Sequence, residues 1–230
     1  MFLKKWDELP DCMKNDSVKV YYDILEKKKV NLFFKRIFDI ILSILLIILL
    51  SPVIVTTAIV IKLDSQGKVF FRQRRVTQYG RVFKIFKFRT MIENQKEGSS
   101  EVTLSDDDRI TKCGKILRKF RIDEIPQLFN ILIGDMSFVG PRPEVEKYVK
   151  SYDNQMMASL LLPAGVTSMA SVAFRNEDQL LNDADNVDFV YIMSILPSKM
   201  ELNLEYVKNV SVLNDIKVMF ITFITVFLKS

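Results

Sequence analysis

Between Asp39 and Lys62 the chain carries 22 consecutive uncharged residues, Ile40 to Ile61, dominated by Ile, Leu and Val. At about 1.5 Å of rise per residue a helix of that length covers the roughly 30 Å hydrocarbon core of a bilayer. Few soluble helices are apolar on every side for so long, so the run is expected in a membrane rather than in a core. It begins too deep in the chain, and is too long, for a signal peptide. Ser51-Pro52 interrupts it near the middle, where proline removes a backbone donor and favours a kink. Its flanks are equally basic, with Lys27, Lys28, Lys29, Lys35 and Arg36 before it and Lys62, Lys68, Arg72, Arg74 and Arg75 after it. The positive-inside rule therefore sets no direction of crossing. A kinked helix that enters and leaves by the cytoplasmic face accounts for both the proline and the balanced charge; a single crossing with a proline kink is the alternative.

The rest of the 230 residues is enough for one moderate domain with a real core. The organisation expected is an N-terminal extension over 1–34, a membrane helix over 35–63 and a cytoplasmic-face catalytic domain over 64–230. The extension carries no motif and suits a membrane surface. The fold class expected is α+β, mostly helical, with a re-entrant membrane helix, a small β-hairpin and interfacial helices. Histidine is absent, which excludes Ser-His and Cys-His nucleophile schemes, and Cys12 and Cys113 are too far apart in sequence to suggest a disulfide framework or a zinc site. Reduced thiols fit a cytoplasmic setting. The net charge of +5 points to an anionic partner: nucleic acid, anionic lipid or a phosphorylated ligand.

Residues 65–92 hold no acid, while Lys68, Arg72, Arg74, Arg75, Arg81, Lys84, Lys87 and Arg89 interleave with six aromatic residues. Two β-prone runs flank Gln78-Tyr79-Gly80, which reads as a hairpin turn. Such interleaving also describes single-strand nucleic-acid platforms, but a neighbouring apolar segment favours lipid headgroups or a phosphate ligand. Residues 93–105 read as a polar loop able to close over a ligand, and Asp106-Asp107-Asp108 as an acidic turn. Asn182 to Asp188 lacks the turn glycine and the third ligand of a calcium loop, so no calcium is expected. Ile216, Met219, Phe220, Phe223 and Phe227 fall on one side of a helical projection, as expected of an interfacial helix.

The segment Leu117 to Asn130 sets Asp123 and Glu124 just after Arg118, Lys119 and Arg121. Ile125, Leu128, Phe129 and Leu132 recur with helical spacing and Gly134 supplies a stop, so Asp123 is expected to cap a helix whose amide donors face a phosphate. Capping alone would also account for both acids.

These residues resemble the bacterial sugar transferases, the monotopic polyprenyl-phosphate phosphoglycosyl transferases. The likeness runs through Lys35-Arg36-Ile37-Phe38-Asp39, Ser51-Pro52, Phe70 to Gln73, Phe83 to Met91, Asp108 to Thr111, Arg118, Asp123 to Asn130, Gly134 to Ser137 and Val139-Gly140-Pro141-Arg142-Pro143. The resemblance implies transfer of a sugar phosphate from a UDP-sugar to undecaprenyl phosphate or another polyprenyl phosphate at the bacterial cytoplasmic membrane, with release of UMP. It implies Mg2+ held by Asp123 and Glu124, Asp123 as the covalent nucleophile, Glu124 as its partner, and Lys87, Arg118 and Arg142 as phosphate or nucleotide contacts. Arg89 would add positive charge. The products implied are lipid-linked precursors of capsule, exopolysaccharide, O-antigen or glycoprotein glycan. After Ser151 the chain departs from the commoner pattern, with Pro163-Ala164-Gly165-Val166-Thr167-Ser168 and Phe174-Arg175-Asn176-Glu177, so the donor's sugar is not implied. The competing expectation, from another class, is a membrane-anchored protein that binds anionic lipid or nucleic acid through residues 68–89 without chemistry.

Overall fold

A computed structural model of the chain describes residues 3–92, 109–175, 177 and 186–227. The expectations for the 93–105 loop, the Asp106–Asp108 turn and most of the Asn182 segment lie outside these residues. Helix α1 spans Asp16–Lys27 and helix α2 spans Lys29–Asp64. An antiparallel hairpin follows, β1 (Phe70–Val76) and β2 (Val82–Phe88), in register from Phe70↔Phe88 to Val76↔Val82. Helices α3 (Lys112–Lys119) and α4 (Gln127–Ile133) come next, then strands β3 (Met136–Val139) and β4 (Ala164–Thr167). Two long helices close the described chain, α5 (Leu196–Lys208) and α6 (Val212–Phe227). The class is mostly helical with little strand, as expected.

Helix α2 is the one described helix long and apolar enough to cross a membrane. It runs through Pro52 as a single helix. Proline leaves the Ile48 carbonyl without its usual amide donor, and the Ser51 hydroxyl donates to that carbonyl at 2.8 Å. In lipid, where no water can take that place, the Ser-Pro pair thus satisfies its own break. One stripe of α2 faces the rest of the molecule. Leu32, Leu42, Leu46 and Leu50 join the main core, while Ile54, Ala58 and Ile61 pack with Phe88 and Leu117. The opposite side, including Ile41, Leu45, Ile48, Leu49 and Ile59, is exposed.

The basic residues before the apolar run are not all surface charges. Lys35 is fully buried and its ammonium donates to Asp215 at 2.5 Å and to the Val139 carbonyl at 2.9 Å. Tyr206 donates to the other Asp215 oxygen at 2.6 Å, and Asp39 accepts from the Phe138 amide at 3.3 Å. Arg36 donates to the Ile131 and Leu132 carbonyls, closing the C-terminal end of α4. These groups clamp α2 to β3, α4 and α6, so Lys35 and Arg36 drop out of the flanking-charge comparison.

Residues 3–25 are integral to the main core. Leu9, Met13, Val18, Tyr22 and Leu25 are buried there, and Trp6 meets Tyr22 edge-on at 5.1 Å. The segment is tied to distant chain by Gln155 donating to the Tyr21 hydroxyl and Lys4 donating to the Tyr79 hydroxyl. The expected turn at Gln78-Tyr79-Gly80 is present, with Tyr79 at φ 60° and Gly80 at φ 72°. Strands β3 and β4 add a parallel pair to the single hairpin expected. On α6, Asp215 and Val218 face inward while Ile216, Phe220 and Phe223 are exposed, the apolar outer face expected of an interfacial helix.

Candidate active site

Asp123 does not cap a helix. Arg121 takes a left-handed backbone conformation at φ 55°, and Ile122–Glu124 then form a single 3-10 turn. Helix α4 starts only at Gln127, with Pro126 in the capping position. The sharp turn at Arg121, rather than a helix start, presents the two acids; a non-glycine residue at positive φ is a strained arrangement of the kind that collects at functional sites. Downstream, Gly134 at φ 101° ends α4 as expected.

The hairpin delivers the first cation. Phe83, Ile85 and Lys87 share one face of β2 because side chains alternate along a strand, and the first two anchor that face in the core. Asn130, fully buried on α4, accepts from the Phe86 amide at 2.8 Å and donates to the Lys84 carbonyl at 3.2 Å, fixing the strand against the helix. Lys87 then reaches Glu124 at 2.8 Å. The second cation comes from the other side, where Arg142 stands 3.5 Å from the same Glu124 oxygen. Arg118 donates from Nε to the Thr90 hydroxyl at 2.9 Å and lines the same cavity.

Arg89 has a different setting. It is buried and donates to the Ser65 and Gln66 carbonyls, where α2 ends. Its charge lies toward the negative end of that helix. Lys87, Arg118, Arg142, Asp123 and Glu124 converge directly around one space, and Arg89 borders it while holding the helix end.

That space is a cavity of about 1980 Å³. Arginine and lysine side chains of β1, β2 and α3 line one part, and Leu46 and Leu50 of α2 with Phe223 of α6 line another. Basic side chains, apolar side chains and the carboxylate pair thus line one cavity.

The two acids titrate in opposite directions. Burial and the neighbouring Glu124 charge push Asp123 above the usual carboxylate range, against the opposing charges of Lys87, Arg121 and Arg118. Burial would raise Glu124 as well, but Lys87, Arg142 and Arg121 together outweigh it and hold Glu124 below that range. The difference arises because the nearest cations, Lys87 and Arg142, both sit on Glu124. Arg121 belongs to the site although its sequence context alone assigned it no role; its signal is its place one turn before the acids.

Asp123 Oδ1 is buried and accepts no hydrogen bond from the described residues. A buried carboxylate oxygen left in that state suits a cation. Among the described residues no group of three or more acidic, histidine or cysteine side chains gathers. Mg2+ commonly takes one or two carboxylates and completes its shell with water and substrate phosphate, so Asp123 and Glu124 fit that mode.

The family model of the bacterial sugar transferases matches residues 30–229. Among curated proteins the chain is 37% identical over 197 residues to the UDP-N-acetylgalactosamine-undecaprenyl-phosphate N-acetylgalactosaminephosphotransferase of Aeromonas hydrophila, covering 84% of this chain and 44% of that protein. It is 34% identical to a UDP-glucose:undecaprenyl-phosphate glucose-1-phosphate transferase of Klebsiella pneumoniae, covering 84% of this chain and 40% of that protein. The exopolysaccharide production protein ExoY of Sinorhizobium fredii is also 34% identical, with 82% of this chain and 83% of that protein covered. The chain therefore spans less than half the length of the first two relatives and most of the third.

Proposed function

Because the chain belongs to the bacterial sugar transferase family, we propose that it moves a sugar-1-phosphate from a UDP-sugar to undecaprenyl phosphate, releasing UMP and starting a lipid-linked glycan. The names of the relatives from Aeromonas and Klebsiella support that substrate pair. The observation that carries the reading is the Asp123–Glu124 pair, Asp123 buried and Glu124 half-buried, in a cavity lined both by many basic side chains and by Leu46 and Leu50. A nucleoside diphosphate sugar suits the basic part, and a polyprenyl chain suits the part formed by α2 and α6.

The Asp123 carboxylate attacks the phosphorus that carries the sugar. A bond from carboxylate oxygen to phosphorus forms, the bond to the bridging oxygen breaks, and UMP leaves with that electron pair. A phosphate oxygen of the lipid then attacks the same phosphorus and expels the carboxylate, which restores the enzyme. The covalent route divides one displacement into two. Lys87, Arg118 and Arg142 hold positive charge where the transferring oxygens gather negative charge. A Mg2+ held by Asp123 and Glu124 would add charge neutralisation at the diphosphate.

Helix α2 enters and leaves one face of the bacterial cytoplasmic membrane, with the catalytic body on the cytoplasmic side. Its contact stripe supports this. The Lys35 end and the Ile61 end both meet the same body, although 26 residues of straight helix would separate them by about 39 Å. A straight crossing of a core about 30 Å thick would carry parts of one body toward opposite faces.

The test is UMP release by purified protein in lipid nanodiscs given a panel of UDP-sugars, undecaprenyl phosphate and Mg2+. Asp123→Asn is expected to lower release by at least about 10³-fold. Mass spectrometry of the enzyme with donor alone is expected to find a phosphosugar adduct on Asp123. Product formed with no adduct at any time would overturn the covalent route, and no UMP from any donor would overturn the activity.

A further inference from the structure

Beyond Arg142, the cavity wall carries a second polar cluster that the transfer chemistry above does not use. Pro141-Arg142-Pro143 fixes the local backbone, because each proline sets φ and the residue before a proline is driven to extended geometry. The segment is pinned by the Gly165 amide donating to the Pro141 carbonyl at 2.8 Å and the Val76 amide donating to the Glu144 carbonyl at 2.9 Å. Arg142 and Glu144, two positions apart, both line the cavity. Arg142 meets Glu124 of the acidic pair. Glu144 instead accepts from the Tyr191 hydroxyl at 2.6 Å, and Lys199 donates to that hydroxyl at 3.1 Å and is ion-paired with Glu177.

Glu144, Tyr191 and Lys199 are each at least nine-tenths buried, yet all three line the cavity. They border an apolar cluster of Val145, Ile195, Leu196 and Met200, where packing alone would favour further apolar side chains. Tyr191 opens a π-helical turn, Tyr191–Ile195, an irregularity that recurs where a side chain must be re-aimed at a functional site. Burial and the Glu144 charge push the Tyr191 hydroxyl up, so it stays protonated as a donor.

We infer that Glu144, Tyr191 and Lys199 form the subsite that reads the sugar ring of the donor, and that the ring it accepts is neutral, with free hydroxyls turned toward Glu144. This rests on the transferase reading above. Arg142 meets Glu124 beside Asp123 and is two residues from Glu144, so the acidic pair and this cluster line one cavity. Lys199 is matched by Glu177 and Arg142 by Glu124, while Glu144 has only Tyr191 as a hydrogen-bond donor among the described residues. The Glu144 carboxylate, paired among the described residues only with a neutral hydroxyl, accepts hydroxyl hydrogens and repels a sugar carboxylate. A site built to hydrogen-bond a hydroxyl also discriminates strongly between stereoisomers that place it differently.

The experiment measures kcat/KM for UMP release with UDP-glucose, UDP-galactose, their N-acetylamino counterparts and UDP-glucuronate, for wild type, Tyr191→Phe and Glu144→Gln. The wild type is expected to favour one neutral donor over its epimer and to use UDP-glucuronate at least about tenfold less well. Both variants are expected to lose about 10- to 100-fold on the favoured donor, to bring the epimer ratio toward one, and to bind UMP, which has no sugar ring, within about twofold of wild type. An unchanged epimer ratio overturns the inference. So does an equal loss on every donor accompanied by weaker UMP binding, which marks a merely structural role. If either variant fails to fold, the wild-type comparison with UDP-glucuronate still decides, because equal use of the acidic sugar overturns the inference. Wild type inactive with every donor would instead remove the transferase reading on which it stands.

Discussion

Asp123 and Glu124 are adjacent in sequence and unlike in role because only one of them holds the cations. Glu124 has a folded pKa below its unfolded value near 4.3. Its contribution to stability is therefore present above about pH 4.3 and is lost as pH falls through the lower folded value. Glu124→Gln leaves Lys87 and Arg142 without their counter-charge and is expected to cost about 2 kcal/mol at pH 7. That lies below the range for fully buried pairs, because Lys87 keeps 23% of its side chain exposed. Denaturant unfolding in the presence of a chelator should show the deficit at pH 7 and its narrowing in acid. Asp123 behaves in the opposite sense. Its raised pKa favours the folded state below about pH 3.9, and that contribution is lost as pH rises through the raised value. Asp123→Asn should accordingly abolish UMP release while leaving the melting temperature at pH 7 equal or higher. Millimolar Mg2+ should raise the melting temperature of wild type and leave that of Asp123→Asn unmoved, since a ligand that binds only the native state stabilises it. An equal shift in both would remove Asp123 from the metal site. The acids themselves were legible from their sequence beside three basic residues. Which acid the cations would favour was not, because that depends on Lys87 arriving from a strand 37 residues away and Arg142 from a segment 18 residues away.

At the scale of elements, legibility followed the length and periodicity of the signal. The hairpin was readable from two β-prone runs about Gln78-Tyr79-Gly80, and α2 from its uninterrupted apolar run. Strands β3 and β4 were not, because four residues each, all buried in β3 and two buried then two half-buried in β4, show no alternation and cannot be told from a piece of loop or helix. What joins them is a close backbone approach rather than a side-chain pattern. A Cβ on Gly165 would lie 2.2 Å from the Gly140 amide nitrogen, and one on Gly140 would lie 2.5 Å from the Pro163 carbonyl oxygen. Both neighbours are backbone and cannot swing aside. Gly165→Ala is therefore expected to destabilise the protein by about 2 kcal/mol or more, the scale of overpacking in a tight core, read as a lower melting temperature with reduced soluble yield. Gly80→Ala has open space around its Cβ and only the cost of a positive φ, so its loss should be smaller, about 1 kcal/mol. Finding Gly165→Ala no worse than Gly80→Ala would show that the β3–β4 contact is not close in solution.

For the molecule as a whole, the chief departure from the sequence reading is how tightly α2 and the N-terminal segment are built into one body. Residues 3–25 were unreadable because their apolar positions, Leu9, Met13, Val18 and Leu25, are spread over two short turns and a helix with no motif among them. The Lys35–Asp215 pair was hidden by its separation of 180 residues. That pair bears on topology. A lysine and an aspartate buried together near the start of the apolar helix are costly unless both stay paired, so the start of α2 stays with the body that encloses them. At the other end, Arg89 holds the Ser65 and Gln66 carbonyls of the same body. If the body lies at the cytoplasmic face, both ends of α2 lie there too. In a background carrying Cys12→Ser and Cys113→Ser, single reporters at the exposed positions Lys29 and Gln66 should both react with a membrane-impermeant maleimide in inverted vesicles and neither in intact spheroplasts. Reporters at Ile48 and Pro52, exposed at the middle of the helix, should resist labelling from both sides because lipid covers them. Opposite labelling of Lys29 and Gln66 would establish a crossing helix. The contacts at its two ends could then not both hold in one molecule.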